Sequence, residues 1–520
     1  MIKSRAFPMQ FRRLISCLWL LLLAAAPALR AEVTQLTPRQ YTITRTDGAE
    51  LRLPQPILPD IAPYNESAAR RRLDAVTPDA PVIEVRRVFG EFTLSDFTAA
   101  ERAGEWAKRQ SSFPRAIFLK SGLARPDDIA DALAGSGYFV RDPKDPDIYT
   151  VRLPLVIEEG ATLVLESDEE LRLSQQSGSF MVVDGKMFAF GSRLIAWDEK
   201  AGKAALFRNK EEFRPFMVSW SGSELYLINS RVESFGYFMS KSYGITVSSY
   251  TRRVGERLKR DEGPKAWLIG SEFVDMYYGF YCYHAKDLAL IGNTYRDNIV
   301  YGIDPHDYSS GIIIAHNTVF GTRKKHGIII SRGVGDSWIF NNRSFNNKLS
   351  GFAIDRNSTN NLLAYNESFH NGSDGLTIYE SSDNLIWENF FYANAKHGVS
   401  ARNSTDVRLY NNRIIANGSF GVYGKVADLS HTDRNIELDP YASEISLTVA
   451  GGVIAANNRG SLSIDRPLSL ELYDIDLRFP SNSKGLYMEG ALAAHHEQLM
   501  EILFKDRQAA ILHPVDKQVQ

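Results

Sequence analysis

Cysteine is almost absent from this chain. Two occur in 520 residues, Cys17 and Cys282, and the first falls in a leader-like segment, so the mature chain holds no internal disulfide and must take its stability from packing. Charge of one sign is missing as well. The 60 Lys and Arg stand against 62 Asp and Glu, which argues against nucleic acid as a partner. The Cys/His spacing of a zinc site and the GGxGxDxUx calcium repeat are both lacking, so no cofactor and no metal is expected. Long apolar runs are lacking too, and the longest marked one is too short for a comfortable membrane span.

That run, Leu14 to Ala26, follows Lys3, Arg5, Arg12 and Arg13 and precedes small residues that offer cleavage after Ala28 or near Ala31. The pattern predicts a secretory signal peptide over residues 1–31. Cys17 ends Leu14-Ile15-Ser16-Cys17 but lies at the front of the apolar run, where a lipidation site does not belong. Cleavage removes Lys3, Arg5, Arg12, Arg13 and Arg30, so the formal charge moves from -2 to about -7. An acidic ligand would then need a local basic groove.

What the chain has in quantity is repetition. Glycines at Gly279, Gly302, Gly327, Gly351, Gly375, Gly398 and Gly421 recur at intervals of 23, 25, 24, 24, 23 and 23 residues. Asparagines keep the same beat at Asn293, Asn317, Asn342, Asn366, Asn389 and Asn412, and a second set follows at Asn298, Asn347, Asn371, Asn394 and Asn417. Each copy, such as GIIISRGVGDSWIFNNRSF, reads as two or three short strands separated by turn residues, with no helical period and no LxxLxL signature. The expected fold is all-β: a right-handed parallel β-helix solenoid with coils of about 24 residues. Inward asparagines at a corner would bond the amides of the coils above and below.

The expected organisation is a signal peptide at 1–31, a Pro- and Arg-rich wrapping and cap region at 32–148, the β-helix at 149–486 and a C-terminal cap helix and tail at 487–520. A helix-like stretch stands at Ser95 to Arg109 and another at Ala491 to Arg507. Solenoid ends need such caps.

Counted from each opening glycine, positions +1 and +3 are mostly apolar (Ile303, Ile328, Ile330, Phe352, Ile354, Leu376, Ile378, Val399), so alternation aims them inward and sends +2 and +4 outward. Positions +4 and +5, expected to be exposed, give Tyr283 and His284, His306 and Asp307, Ser331 and Arg332, Asp355 and Arg356, Tyr379 and Glu380, then Arg402 and Asn403. A saccharide unit is close to one coil in height, so such a ladder suits consecutive sugars of an extended polymer. A solvated charged face is the alternative, but it explains the polarity and not the tyrosines and histidines. Within coils 279–425 the segment Tyr301-Gly302-Ile303-Asp304-Pro305-His306-Asp307 gathers a histidine, two carboxylates and a tyrosine, with Arg332 one coil further on. This is the equipment of a tuned general base beside an anion clamp; a surface histidine among ordinary charges is the alternative.

The Tyr-Gly-x-Asp-Pro-His-Asp segment, the Asn-rich coils around it and the exported single-chain layout resemble the periplasmic mannuronan C5-epimerases of alginate biosynthesis over essentially the whole mature chain. The resemblance implies conversion of β-D-mannuronate to α-L-guluronate within the alginate polymer, and an association with the envelope complex that exports it. Extracellular relatives carry calcium repeats, which this chain lacks, so calcium dependence is not carried over. The resemblance puts carboxylate neutralisation on Arg332 and proton abstraction on His306, held by Asp304 or Asp307. Water ranks ahead of Tyr301 as the acid. Lys324 and Lys325, with Asp355, Arg356, Tyr379 and Arg402 along the ladder, are the candidates for holding flanking uronates; ordinary surface charges are the alternative for the four cations. A polyuronate lyase shares the first two steps, and a non-catalytic polysaccharide-binding scaffold is the rival from outside enzymology.

Overall fold

Alternation within each repeat decides where the chain goes. The computed structural model describes residues 40–47, 53, 55–94, 97, 106–110, 113–250, 255–256, 262–432, 434–437, 439–478 and 487–515; the expected signal peptide and most of the helix-like stretch from Ser95 to Arg109 lie outside them. Each central repeat makes three short strands, for example Tyr301–His306, Ile313–Ala315 and Thr318–Phe320, and each strand pairs in parallel with its counterpart in the next repeat. On the first face Tyr278 pairs with Tyr301, Ile303 with Ile328, Ile328 with Phe352, Phe352 with Leu376 and Leu376 with Val399. The second face runs Trp267, Ala289, Ile313, Trp338, Leu362, and the third runs Thr294, Thr318, Arg343, Glu367, Phe390. This is a parallel β-helix.

The +1 and +3 residues Ile303, Ile328, Ile330, Phe352, Ile354, Leu376, Ile378 and Val399 are all buried in one continuous core. Each is worth about 1.5–3 kcal/mol relative to an exposed position. The glycine column has a steric cause. A Cβ at Gly302 would run into Val319 Cγ1 and the carbonyl of Gly327, and one at Gly351 into Ser368 Oγ, so neighbouring coils can close only over a bare Cα.

The asparagines form two continuous ladders. Asn293 Nδ2 donates to Asn317 Oδ1 at 3.0 Å, Asn317 to Asn342 at 3.0 Å, Asn342 to Asn366 at 3.0 Å and Asn366 to Asn389 at 2.9 Å. The second runs Asn347, Asn371, Asn394, Asn417, with both later steps and the first at 2.9–3.0 Å. After the first of each ladder, whose Oδ1 accepts from Ser271 N or Thr322 N, each Oδ1 also receives the backbone N–H of the preceding asparagine, as Asn342 Oδ1 does from Asn317 at 2.9 Å. Fully satisfied buried amides of this kind lock the coils in register.

Parallel stacking begins upstream of the expected start at 149, because strand Arg115–Ala124 already pairs with Leu155–Leu165. Antiparallel strand Val82–Arg87 and the helix Pro126–Ala132 lie beside this first rung. At the other end the expected cap helix is a continuous helical run, 3-10 over Ala493–His495, α over His496–Met500 and π over Glu501–Lys505, and the tail returns as strand Ala509–Pro514, antiparallel to Ser469–Tyr473 and to Tyr41–Thr46. From Tyr41–Thr46 the N-terminal segment leads back to helix Glu66–Asp74 over the early coils. Asn65 caps this helix by accepting from the Ala68 N–H at 2.9 Å, and Ala69, Leu58 and Ile61 join the cluster of Phe188, Tyr226 and Trp267 on the second face.

Candidate active site

The first-face strands end at a corner that is built the same way on every rung. His284, Asp307, Arg332, Arg356, Glu380 and Asn403 all have φ between 42° and 60°, the left-handed conformation that turns the chain off the sheet. Their backbone N–H groups bond to the next coil, as Asp307 N does to Ser331 O at 3.1 Å and Arg332 N to Asp355 O at 3.0 Å. The +5 side chains therefore stand in a column beside the +4 column.

At the His306 rung this architecture makes a hydrogen-bonded centre. His306 Nδ1 lies 2.6 Å from Asp307 Oδ2, and Arg332 Nη1 donates to Asp307 Oδ1 at 3.3 Å. An ionised carboxylate only accepts, so in the neutral imidazole Nδ1 carries the proton and Nε2 keeps its lone pair. Between the two named orienters left open by the sequence, the contact is with Asp307. Burial disfavours the charged imidazole, but the Asp307 hydrogen bond and the charges of Asp304 and Asp307 outweigh it and hold His306 above its ordinary pKa. Burial works against the Asp307 carboxylate too, and His306 and Arg332 outweigh that and hold it below the usual range.

Asp304 sits two residues before His306, in register with Tyr281, and is 1% exposed. Burial pushes its pKa up to about 7, and among the described residues its Oδ1 has no hydrogen-bond partner. Tyr281 lies over this floor, with its ring 5.6 Å from the His306 ring and its hydroxyl 3.4 Å from Asp307 Oδ2. Tyr301 accepts a hydrogen bond from Lys325 Nζ at 3.1 Å and stacks on His326 at 6.2 Å; burial pushes its phenol well up.

The remaining ladder residues are placed as follows. Tyr283 pairs in register with His306 and lies under Lys241 Nζ at 4.7 Å. His284 stacks on Tyr308 at 5.4 Å. Lys324 packs on Phe207 at 5.0 Å. Arg356 lies 3.7 Å from Asp355. Arg402 lies 3.9 Å over the Tyr379 ring and is bound to Glu380 at 2.7 Å, so its charge is compensated within the protein.

The expectation of an exposed +4 and +5 ladder needs correction. His284 is exposed, but Asp307, Ser331, Glu380 and Asn403 are buried and the others half-buried. The cause is partly a connection that interrupts the period between strands Phe420–Lys425 and Ser446–Ala450. It lies over the ladder: Arg434 binds Glu380 at 2.6 Å, and Asp439 accepts from Arg332 at 3.0 Å and from Arg356 at 3.5 Å. Sequence reasoning missed Asp439, Arg434 and Tyr281. The signal for the first two was a broken beat, since 40 residues separate Asn417 from Asn457 where 23 separate Asn394 from Asn417. Tyr281 stood at an outward +2 position.

Comparison with known proteins gives three kinds of likeness. A family model described as periplasmic copper-binding protein (NosD) matches residues 236–441. Among the described residues no three His, Cys, Asp or Glu side chains are grouped as a metal requires, and the buried Cys282 thiol has its pKa pushed up to about 12 by burial; these donors do not fit a copper centre. A mannuronan C5-epimerase of Pseudomonas putida is 45% identical over 499 residues, covering 96% of this chain and 95% of that protein. Its counterpart in Pseudomonas aeruginosa is 47% identical over 482 residues, 92% of this chain and 88% of that one. The mannuronan C5-epimerase AlgG of Azotobacter vinelandii is 42% identical over 482 residues, 92% and 90%. The crystal structure of a periplasmic alginate epimerase, AlgG, matches with a TM-score of 0.78 and 45% identity over 82% of this chain and 100% of that chain.

Proposed function

The chain belongs to the mannuronan C5-epimerase family, and on that footing we propose that His306, Asp307 and Arg332 are the centre at which it inverts C5. It is an isomerase that converts β-D-mannuronate to α-L-guluronate in the alginate polymer, and it works in the periplasm. The observation that carries the site assignment is that His306 and Arg332, on successive rungs, both engage Asp307.

The difficulty of the reaction is the acidity of C5. Removing its proton pushes an electron pair towards a carboxylate that is already negative, so that charge must be met first. Arg332 is the cation for this, with a fork that suits a carboxylate. His306 Nε2 takes the proton while Asp307 holds the Nδ1–H and steadies the imidazolium that forms. A proton then returns to C5 from the opposite face, supplied in this reading by water, with Tyr301 as the second candidate. A lyase would instead expel the 4-O-linked sugar at this stage. Asp304 forms the floor beside the base, and Tyr283, His284, Lys324, Lys325, Asp355, Arg356, Tyr379 and Arg402 line the path for flanking uronates.

Incubation with polymannuronate tests both the activity and its assignment. The wild-type chain is expected to raise guluronate signals in the proton NMR spectrum without ultraviolet absorbance from unsaturated ends. His306→Ala and Arg332→Ala are each expected to abolish turnover while polymer is still bound. Intact epimerisation in both folded variants would move the active rung elsewhere. Envelope proteins of alginate export belong to the same reading as partners, and co-purification with the full chain tests that part.

A further inference from the structure

A second cationic and aromatic cleft lies beside the catalytic rung, where helix Glu66–Asp74 crosses the second face. Its volume is about 960 Å3, and its walls carry Tyr64, Arg71 and Arg72 from the N-terminal segment, Lys265 and Trp267 from the second face, and His284, Lys286 and Asp287 from the corner. Four permanent cations therefore face one carboxylate. Arg70, one residue earlier, is held by Glu66 at 2.8 Å and Glu166 at 3.3 Å. Among the described residues Arg71, Arg72, Lys265 and Lys286 have no carboxylate within ion-pair distance, and all four are exposed.

The aromatic part is ordered. The Arg72 guanidinium lies 4.5 Å over the Trp267 ring, and Tyr64 meets that ring edge-on at 5.1 Å. Trp267 is only 8% exposed beneath them, so the half-buried Tyr64 ring is what the cleft offers to the apolar face of a pyranose, and the exposed cations suit its carboxylate. This pairing fits an acidic sugar better than a neutral one or a simple anion. The cleft is also continuous with the ladder. His284 is the residue after Tyr283, which pairs in register with His306, and it stacks on Tyr308, the neighbour of Asp307.

We propose that this cleft is a second polyuronate-binding site, which holds a distal stretch of the same polymer whose other residues lie on the His306 rung. This rests on the epimerase reading. A chain running from the rung of Arg332 past His306 reaches His284 on the preceding rung, and from there the cations of Lys286, Lys265 and Arg71 lead it along the helix. The site makes long polymers better substrates than short ones without touching the reacting carbon.

The test is the double variant Arg71→Glu/Lys286→Glu, at two exposed positions, assayed on long polymannuronate and on a trimer too short to span both sites. The expected result is a KM for the long polymer raised about tenfold, most clearly at low salt, with kcat and trimer turnover unchanged. The milder Lys265→Ala is expected to move KM in the same direction and to serve if the double variant folds poorly. An unchanged KM on long polymer in both variants would overturn the proposal. Failure of the epimerase reading looks different: the wild-type chain would then give no guluronate from either substrate.

Discussion

Asp439 places a carboxylate on the guanidinium of Arg332 at 3.0 Å and reaches Arg356, one rung further, at 3.5 Å. The side chain of Arg332 is 36% exposed and that of Asp439 only 6%. A protein carboxylate thus holds the cation that the mechanism reserves for a substrate carboxylate. The connection that carries Asp439 is itself tied down by Arg434 on Glu380, so the arrangement is built and not incidental.

Removing that carboxylate frees the Arg332 fork. An ion pair with one partner this exposed contributes at most about 1 kcal/mol, so Asp439→Ala is expected to lower KM for polymannuronate by up to about fivefold with little change in kcat. Steady-state kinetics separate this from a positioning role. A fall in kcat at constant KM would mean that Asp439 orients Arg332 instead of competing for it.

Asp307 sets the basicity of His306, and its removal has a direction that can be worked out. His306 must be neutral to take a proton, so kcat/KM rises with pH through a pKa held above the ordinary 6.5 of histidine. Asp307→Asn removes the largest influence that raises it, and the rising limb of the pH–rate profile is expected to move to lower pH while the plateau falls. The same linkage acts on stability. The proton on His306 stabilises the fold fully below the unfolded-state pKa, and this contribution is lost as pH climbs past the raised folded value. A limb that stays in place would show that Asp307 does not govern the base.

The identity of the acid separates two phenotypes of one substitution. A positioned general acid contributes about 10²–10⁴-fold, so loss of the hydroxyl from such a residue is severe. With water as the donor, Tyr301→Phe is expected to keep kcat within about tenfold of wild type, because its ring still stacks on His326 and only the hydrogen bond from Lys325 is lost. A drop of several hundredfold in single-turnover assays would give the acid's role to Tyr301.

The repeat period was legible because one steric demand and one hydrogen-bond pattern recur on every coil: glycine where coils touch and asparagine where amides stack. Alternation from Gly302 likewise placed Ile303 in the core and His306 outside it, and the period brought Arg332 onto the next rung. Asp439 was illegible for the opposite reason, since a connection outside the period carries no positional information about what it crosses. The burial of Asp307 and Glu380 was hidden too, because it arises from side chains of neighbouring rungs and from that connection, and not from their own strands. The choice between Asp304 and Asp307 needed geometry, because the left-handed turn at Asp307 is what swings its carboxylate back onto the His306 ring.

Asp304 gives a stability prediction with a sign opposite to that of most surface carboxylates. Burial raises its folded pKa to about 7, whereas an unfolded aspartate titrates near about 3.9. Between those values the folded chain binds more protons than the unfolded chain, so this residue makes stability fall as pH rises from about 4 through about 7, and the fall levels off about one pH unit above the folded value. Asp304→Asn keeps the shape of the neutral acid and escapes the cost of ionisation. The melting temperature of the variant is therefore expected to match wild type near pH 4 and to exceed it increasingly towards pH 8, by an amount on the order of a few kcal/mol in stability. Thermal denaturation followed across that range checks it. A variant that is less stable than wild type at the alkaline end would show that the ionised carboxylate is favourably solvated or paired in the fold, and that the floor of the groove carries a charge at working pH.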